Sequence, residues 1–210
     1  MNDWGSDAAG LLIIALAHGL ALSIGVAVTG GISGGHLNPA VTARMWLFKR
    51  IETLLAVKYI ISQLIRASLG ALPVVLVFQS VAPAATGFPL PSAEVIRNEG
   101  FPLTVLIAEF IMTFLLVISV YSVAIDPRGK AVKIGAFVIG LTIAVEILVA
   151  GGISGASMNP ARSFGPALVH MDFTLHWCYW VAPLLGGMAA GLFYHHCLLD
   201  KDSTEKAAAE

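Results

Sequence analysis

The sequence predicts an all-α membrane protein: one bundle of five full spans plus two re-entrant half-helices, organised as an inverted repeat. Three observations carry that expectation. The 210 residues are 57% hydrophobic and only 12% charged, where soluble domains carry about a quarter charged. Apolar runs long enough to cross a hydrocarbon core of about 30 Å, which takes about 20 helical residues, recur along most of the chain. One thirteen-residue segment also occurs twice.

The spans are expected at 8–28, 53–78, 102–124, 132–150 and 177–199. A buried core in a soluble protein is excluded, because five such runs leave no polar surface to keep the chain in water. Residues 1–210 read as one domain, with 8–78 the first repeat, 102–199 the second and 200–210 a polar tail. Orientation follows from where Lys and Arg fall. Arg44, Lys49, Arg50 and Lys58 mark one cytoplasmic loop, Arg128, Lys130 and Lys133 another, and Lys201 and Lys206 the tail. The Pro-rich stretch 79–101, whose one basic residue is Arg97, is then external, as is the N-terminus. Cys178 and Cys197 lie about 28 Å apart along one helix and cannot pair within it.

The repeated segment reads GGISGGHLNPAVT at 30–42 and GGISGASMNPARS at 151–163, identical at eight of thirteen positions. Each copy follows a span, opens with Gly and Ser residues unsuited to continuing a helix, and then presents Asn-Pro. Asn38 and Asn159 are expected as N-caps, with Pro39 and Pro160 at the first helical position. The helices they start, about 15 Å long, reach half-way across a bilayer. Three spans separate the copies, so the copies are inverted, and paired interrupted segments of this kind mark a pathway at the midplane. Irregular backbone at that depth must line a watery cavity or be buried in protein. The stretches 30–37 and 151–158 are therefore expected to turn carbonyls, including those of Gly34, Gly35, His36, Gly155 and Ser157, toward a permeant molecule.

His36-Leu37-Asn38-Pro39-Ala40-Val41-Thr42 and Met158-Asn159-Pro160-Ala161-Arg162-Ser163 resemble the paired Asn-Pro-Ala boxes of the major intrinsic protein family, the aquaporins and glycerol facilitators. The similarity runs from about residue 8 to residue 199. It implies a passive channel for water and small neutral solutes in a lipid bilayer, expected to be the cell (inner or plasma) membrane, assembled as a homotetramer with one pore per subunit. No cofactor, metal ion or nucleic acid is implied. The resemblance carries the external constriction onto His18, Ile147, Ala156 and Arg162, and a loop-anchoring carboxylate onto Glu109. Arg162 can be read independently: a permanently charged guanidinium inside the membrane is costly unless it faces the pore and meets backbone carbonyls.

With His18 and Ile147 at the first two constriction positions, the sequence is similar to the tonoplast intrinsic type and to the ammonia-permeable aquaporin. That similarity implies ammonia, urea or hydrogen peroxide beside water. Ser163 stands where glycerol facilitators carry an acid, which argues against glycerol. The family has six spans, and the expectation is a longer natural chain with one more span ahead of residue 8. Two alternatives belong to other classes. A proton-coupled carrier would use an intramembrane acid such as Glu146, and a structural membrane protein would conduct nothing. An enzyme is unsupported, since no nucleophile–base pair, phosphate loop or metal-spaced cluster is present.

Overall fold

The computed structural model describes residues 8–78, 102–130 and 133–199. The stretch 79–101, with Arg97, and the tail 200–210 lie outside the described residues. All regular elements among the described residues are helical. They are α1 (Ala8–Ser33), the short α2 (Pro39–Leu47), α3 (Thr53–Phe78) and α4 (Leu103–Val120), followed by a π-helical extension to Ile125. Next come a single turn, α5 (Pro127–Lys130), and then α6 (Gly135–Ser154), the short α7 (Pro160–His170) and α8 (Cys178–Phe193) with its own π-helical extension to Leu198. Among the described residues, four helices are long and apolar enough to span a membrane as they stand. The last span is assembled from the 16 residues of α8 and its five-residue extension.

One expectation needs correction. Residues 30–33 and 151–154 are not loop but the final turns of α1 and α6. The glycines at these positions do not stop the helix. The stop comes one residue later, at Gly34 and Gly155, whose φ angles of +77° and +74° are left-handed and belong to the residue that closes a helix. Only 34–38 and 155–159 remain irregular.

The inverted repeat is visible in the packing. Helix α1 lies along α6, with Gly19 and Gly140 set in the same register as the repeated motif, and a Cβ on either would run into the other's backbone. Helix α3 packs on α7, and α8 packs on α2, so each long helix braces the half-helix of the opposite repeat. Small residues make these approaches possible, which is how membrane helices gain packing energy without a hydrophobic driving force. Gly165 meets the backbone of Ala67, and Gly186 that of Phe110. Helix α4 breaks the symmetry: it covers α8, yet nothing among the described residues covers α3 in the same way. The best apolar window of α3 is accordingly 6% buried, against 33% for that of α4.

At the end of the bundle holding α5, the two π-helical extensions meet. Tyr121 stacks on Tyr194 with centroids 4.8 Å apart, and the Tyr194 hydroxyl donates to Asp126 at 3.0 Å. Asp126 also accepts from the Arg128 guanidinium at 2.6 Å, while Arg128 donates to the Leu198 carbonyl at 2.7 Å. The buried Arg44 guanidinium lies over the Tyr121 ring, 3.1 Å from its centroid.

Candidate functional site

Each half-helix begins as its sequence dictates. Asn38 and Asn159 hold extended backbone, with φ of −152° in both, and their side-chain oxygens accept from the amides of Ala40 at 2.8 Å and Ala161 at 3.0 Å. Their amide nitrogens turn the other way, each toward the opposite repeat. Asn38 Nδ2 donates to the Met158 carbonyl at 2.8 Å, and Asn159 Nδ2 donates to the Leu37 carbonyl at 3.0 Å. The two half-helices therefore meet N-terminus to N-terminus, locked by a reciprocal pair of hydrogen bonds. An Asn amide nitrogen has two hydrogens, so one on each side chain stays uncommitted. The two N-termini concentrate about half a positive charge each at this point.

Matching backbone conformations deliver the lock. Leu37 and Met158, the residues before the caps, have φ of +41° and +54°, and Gly35 and Ala156 have +62° and +45°. Left-handed backbone at a non-glycine residue costs about 1–2 kcal/mol, so something must hold it. In the second repeat the holder is Glu109 of α4, which is fully buried. Its carboxylate accepts from the Ser154 hydroxyl at 2.7 Å and from the amides of Ser157 at 2.8 Å and Met158 at 2.7 Å. Tyr179 adds a hydroxyl bond to the Ser154 carbonyl at 2.6 Å. In the first repeat Thr42 takes part of that role. Its hydroxyl donates to the Asn38 carbonyl at 3.1 Å and accepts from Gln63 Nε2 at 2.9 Å, with His36 Nδ1 at 3.3 Å. Sequence reasoning assigned no role to Thr42, Gln63, Ser154 or Tyr179. Thr42 had a signal, because it aligns with Ser163, whose hydroxyl likewise bonds the start of its own half-helix.

Two cavities meet at the lock. The first, about 180 Å³, is lined by Gly34, Gly35, His36, Asn38 and Asn159 against apolar side chains of α1, α4 and α6. The second, about 310 Å³, is lined by His18, Arg66, Ser157, Asn159 and Arg162 among others. Leu22, Leu37, Leu116, Ile143 and Asn159 border both. Arg162 donates to the carbonyls of Ala156 at 2.9 Å and Gly155 at 3.3 Å. His18 Nδ1 lies 2.9 Å from the Ile14 carbonyl, which can only accept, so Nδ1 carries the proton and Nε2 is left as an acceptor.

The four expected constriction residues are thus divided. His18 and Arg162 line the second cavity, while Ile147 and Ala156 are 1% and 0% exposed and pack in a core cluster with Ala15, Met112 and Leu116. Ala156 offers its carbonyl rather than its methyl. Pro39, Ala40, Pro160 and Ala161 are buried at the half-helix starts. Glu146 is 4% exposed, lines neither cavity, and its carboxylate oxygens meet no hydrogen-bond partner among the described residues.

A bundle of apolar spans, with two half-helices opposed at the point where two cavities join, defines a membrane channel rather than an enzyme. Comparison with known proteins gives the family. The major intrinsic protein family matches residues 2–194, and the chain belongs to it. Its relatives include the rice probable aquaporin TIP2-2, 42% identical over 205 residues, covering 97% of this chain and 79% of the relative. The Arabidopsis aquaporin TIP2-1 is 43% identical over 194 residues, covering 92% and 74%. Among solved structures, the aquaglyceroporin of Plasmodium falciparum superposes with a TM-score of 0.74 at 22% identity, covering 94% of this chain and 84% of that one. At that identity the superposition speaks for the fold alone.

Proposed function

We propose that the chain is a passive channel that conducts water, together with ammonia, urea and hydrogen peroxide, and excludes protons and ions. The observation that carries this reading is the reciprocal pair of Asn-to-carbonyl hydrogen bonds at the junction of the two cavities. A water reaching that junction finds two uncommitted amide hydrogens and two half-helix N-termini, all favouring its oxygen. Its own hydrogens then point outward in both directions. A continuous donor chain is interrupted there, which opposes a proton wire, and the positive potential opposes cations.

The polar side of the external constriction is formed by Arg162, fixed on the Ala156 and Gly155 carbonyls, and by His18 Nε2 as an acceptor for the N–H or O–H groups of a small solute. Ile147 and Ala156 lie behind it in the core, and Ala156 contributes the carbonyl that fixes Arg162. No titrating step is needed, so flux should follow the gradient in either direction. The carrier alternative loses support from Glu146, which lines neither cavity. A homotetramer is proposed from the family alone. The relatives are of the TIP type and lend no support to a plasma-membrane location.

The test is stopped-flow light scattering of proteoliposomes after an osmotic step. Fast shrinkage with a weak temperature dependence is expected, and flux that does not saturate. Rates equal to those of empty liposomes, from protein shown to be folded, would overturn the channel reading. Saturable flux driven by a pH gradient and abolished by Glu146→Gln would establish the carrier instead. Cross-linking in the same vesicles tests the tetramer.

A further inference from the structure

We propose that the second cavity is a binding site for a small monovalent inorganic anion, such as chloride or nitrate, held between Arg66 and Arg162. Both guanidinium groups line this one cavity of about 310 Å³, and no Asp or Glu lines it. Arg66 is exposed, yet it reaches the lock. Its Nη2 lies 3.4 Å from the Leu37 carbonyl, the same oxygen that accepts from Asn159 at 3.0 Å. A second permanent positive charge therefore stands beside the asparagine lock.

The surroundings compensate these charges only in part. Arg162 donates to carbonyls, and the buried Glu109 carboxylate offsets part of its charge without lining the cavity. The 3.4 Å contact of Arg66 is long for a charge-assisted bond, which leaves most of the guanidinium's donors available. The half-helix N-termini add to the same potential, and Asn159 and Ser157 bring polar groups to the wall. Two guanidinium groups on the wall of one cavity that no carboxylate lines offer charge-assisted donors to a small anion between them. A volume of about 310 Å³ admits a halide or nitrate together with water.

The inference rests on the reading of this cavity as the outer half of the pore only in its consequence, that a bound anion would slow water. Binding itself is tested without flux. Purified protein in lipid nanodiscs is titrated with chloride and the chloride NMR line width is followed, with nitrate as competitor. A saturable excess broadening, displaced by nitrate, is expected. It should weaken roughly tenfold in Arg66→Gln, the loss of one charge-assisted contact, and persist in Arg66→Lys. Broadening that rises linearly with chloride in the wild type, or that is equal in wild type and Arg66→Gln, would overturn the site. Water flux is measured on the same preparation in gluconate and in nitrate. Absence of flux in both salts counts against the channel and leaves the binding result standing.

Discussion

Glu109 offers the sharpest test of how the second asparagine box is held. Its carboxylate is fully buried and accepts three hydrogen bonds between 2.7 and 2.8 Å, two of them from backbone amides that have no alternative partner at that depth. Glu109→Ala would orphan those two amides and the Ser154 hydroxyl. At about 1–3 kcal/mol for each of these three buried groups left unsatisfied, the cost is about 3–9 kcal/mol. Glu109→Gln keeps the volume but sets an NH₂ group against a backbone N–H. Removing a buried charge regains part of its desolvation cost, so this variant should lose only about 2–3 kcal/mol. The assay is the unfolding midpoint in detergent, read beside water flux in vesicles. Both variants should lose flux, because Ala156 and Met158 need the anchor to keep their left-handed backbone. If Glu109→Gln unfolds within about 0.5 kcal/mol of the wild type, the carboxylate is not what holds the loop and the reasoning fails.

Three further outcomes are expected. Gly186→Val should destabilise the α4–α8 contact by about 1–3 kcal/mol in the same unfolding assay, because its Cβ has only the Phe110 backbone to move against. Asp126→Asn should cost about 1 kcal/mol, since its main partner, Arg128, is half exposed. The Arg128 side-chain hydrogen bonds hold the Asp126 carboxyl below the usual carboxylate range. This contribution is therefore complete above a pH of about 4 and is lost as pH falls through the lowered value, which a melting series against pH would read. Mercuric chloride should not block the wild type through its two cysteines, as Cys178 is buried and Cys197 lies at the far end of the last span. It should block Ala21→Cys, which lines the second cavity, and spare Ala156→Cys, whose side chain is fully buried. A block of Ala156→Cys in vesicle shrinkage would put that methyl on the pore wall.

The sequence by itself determined everything that depends on short-range chemistry. Span positions follow from apolar runs, and Asn-Pro starts a helix whatever surrounds it. A repeat at opposite membrane orientation also predicts that two such starts will face each other. Glu109 and Arg162 were visible as charged groups in apolar surroundings, and such groups must find partners. What only the tertiary structure decided is who those partners are. That each Asn cap spends one amide hydrogen on the other repeat's carbonyl depends on two chain segments about 120 residues apart. The ends of α1 and α6 were misjudged because Gly30, Gly31, Gly151 and Gly152 cost a helix only about 1 kcal/mol each and extend long helices already held by their packing further along. The division of the expected constriction, with His18 and Arg162 on a cavity wall and Ile147 and Ala156 in the core, is a matter of helix rotation at Ile147 and of left-handed backbone at Ala156. Residues on a helix that is apolar all round carry no sequence signal for which face turns inward. Arg66 is the extreme case. An Arg inside an apolar span is costly by its sequence context alone, and the carbonyl beside it is supplied by a loop that the fold alone brings there.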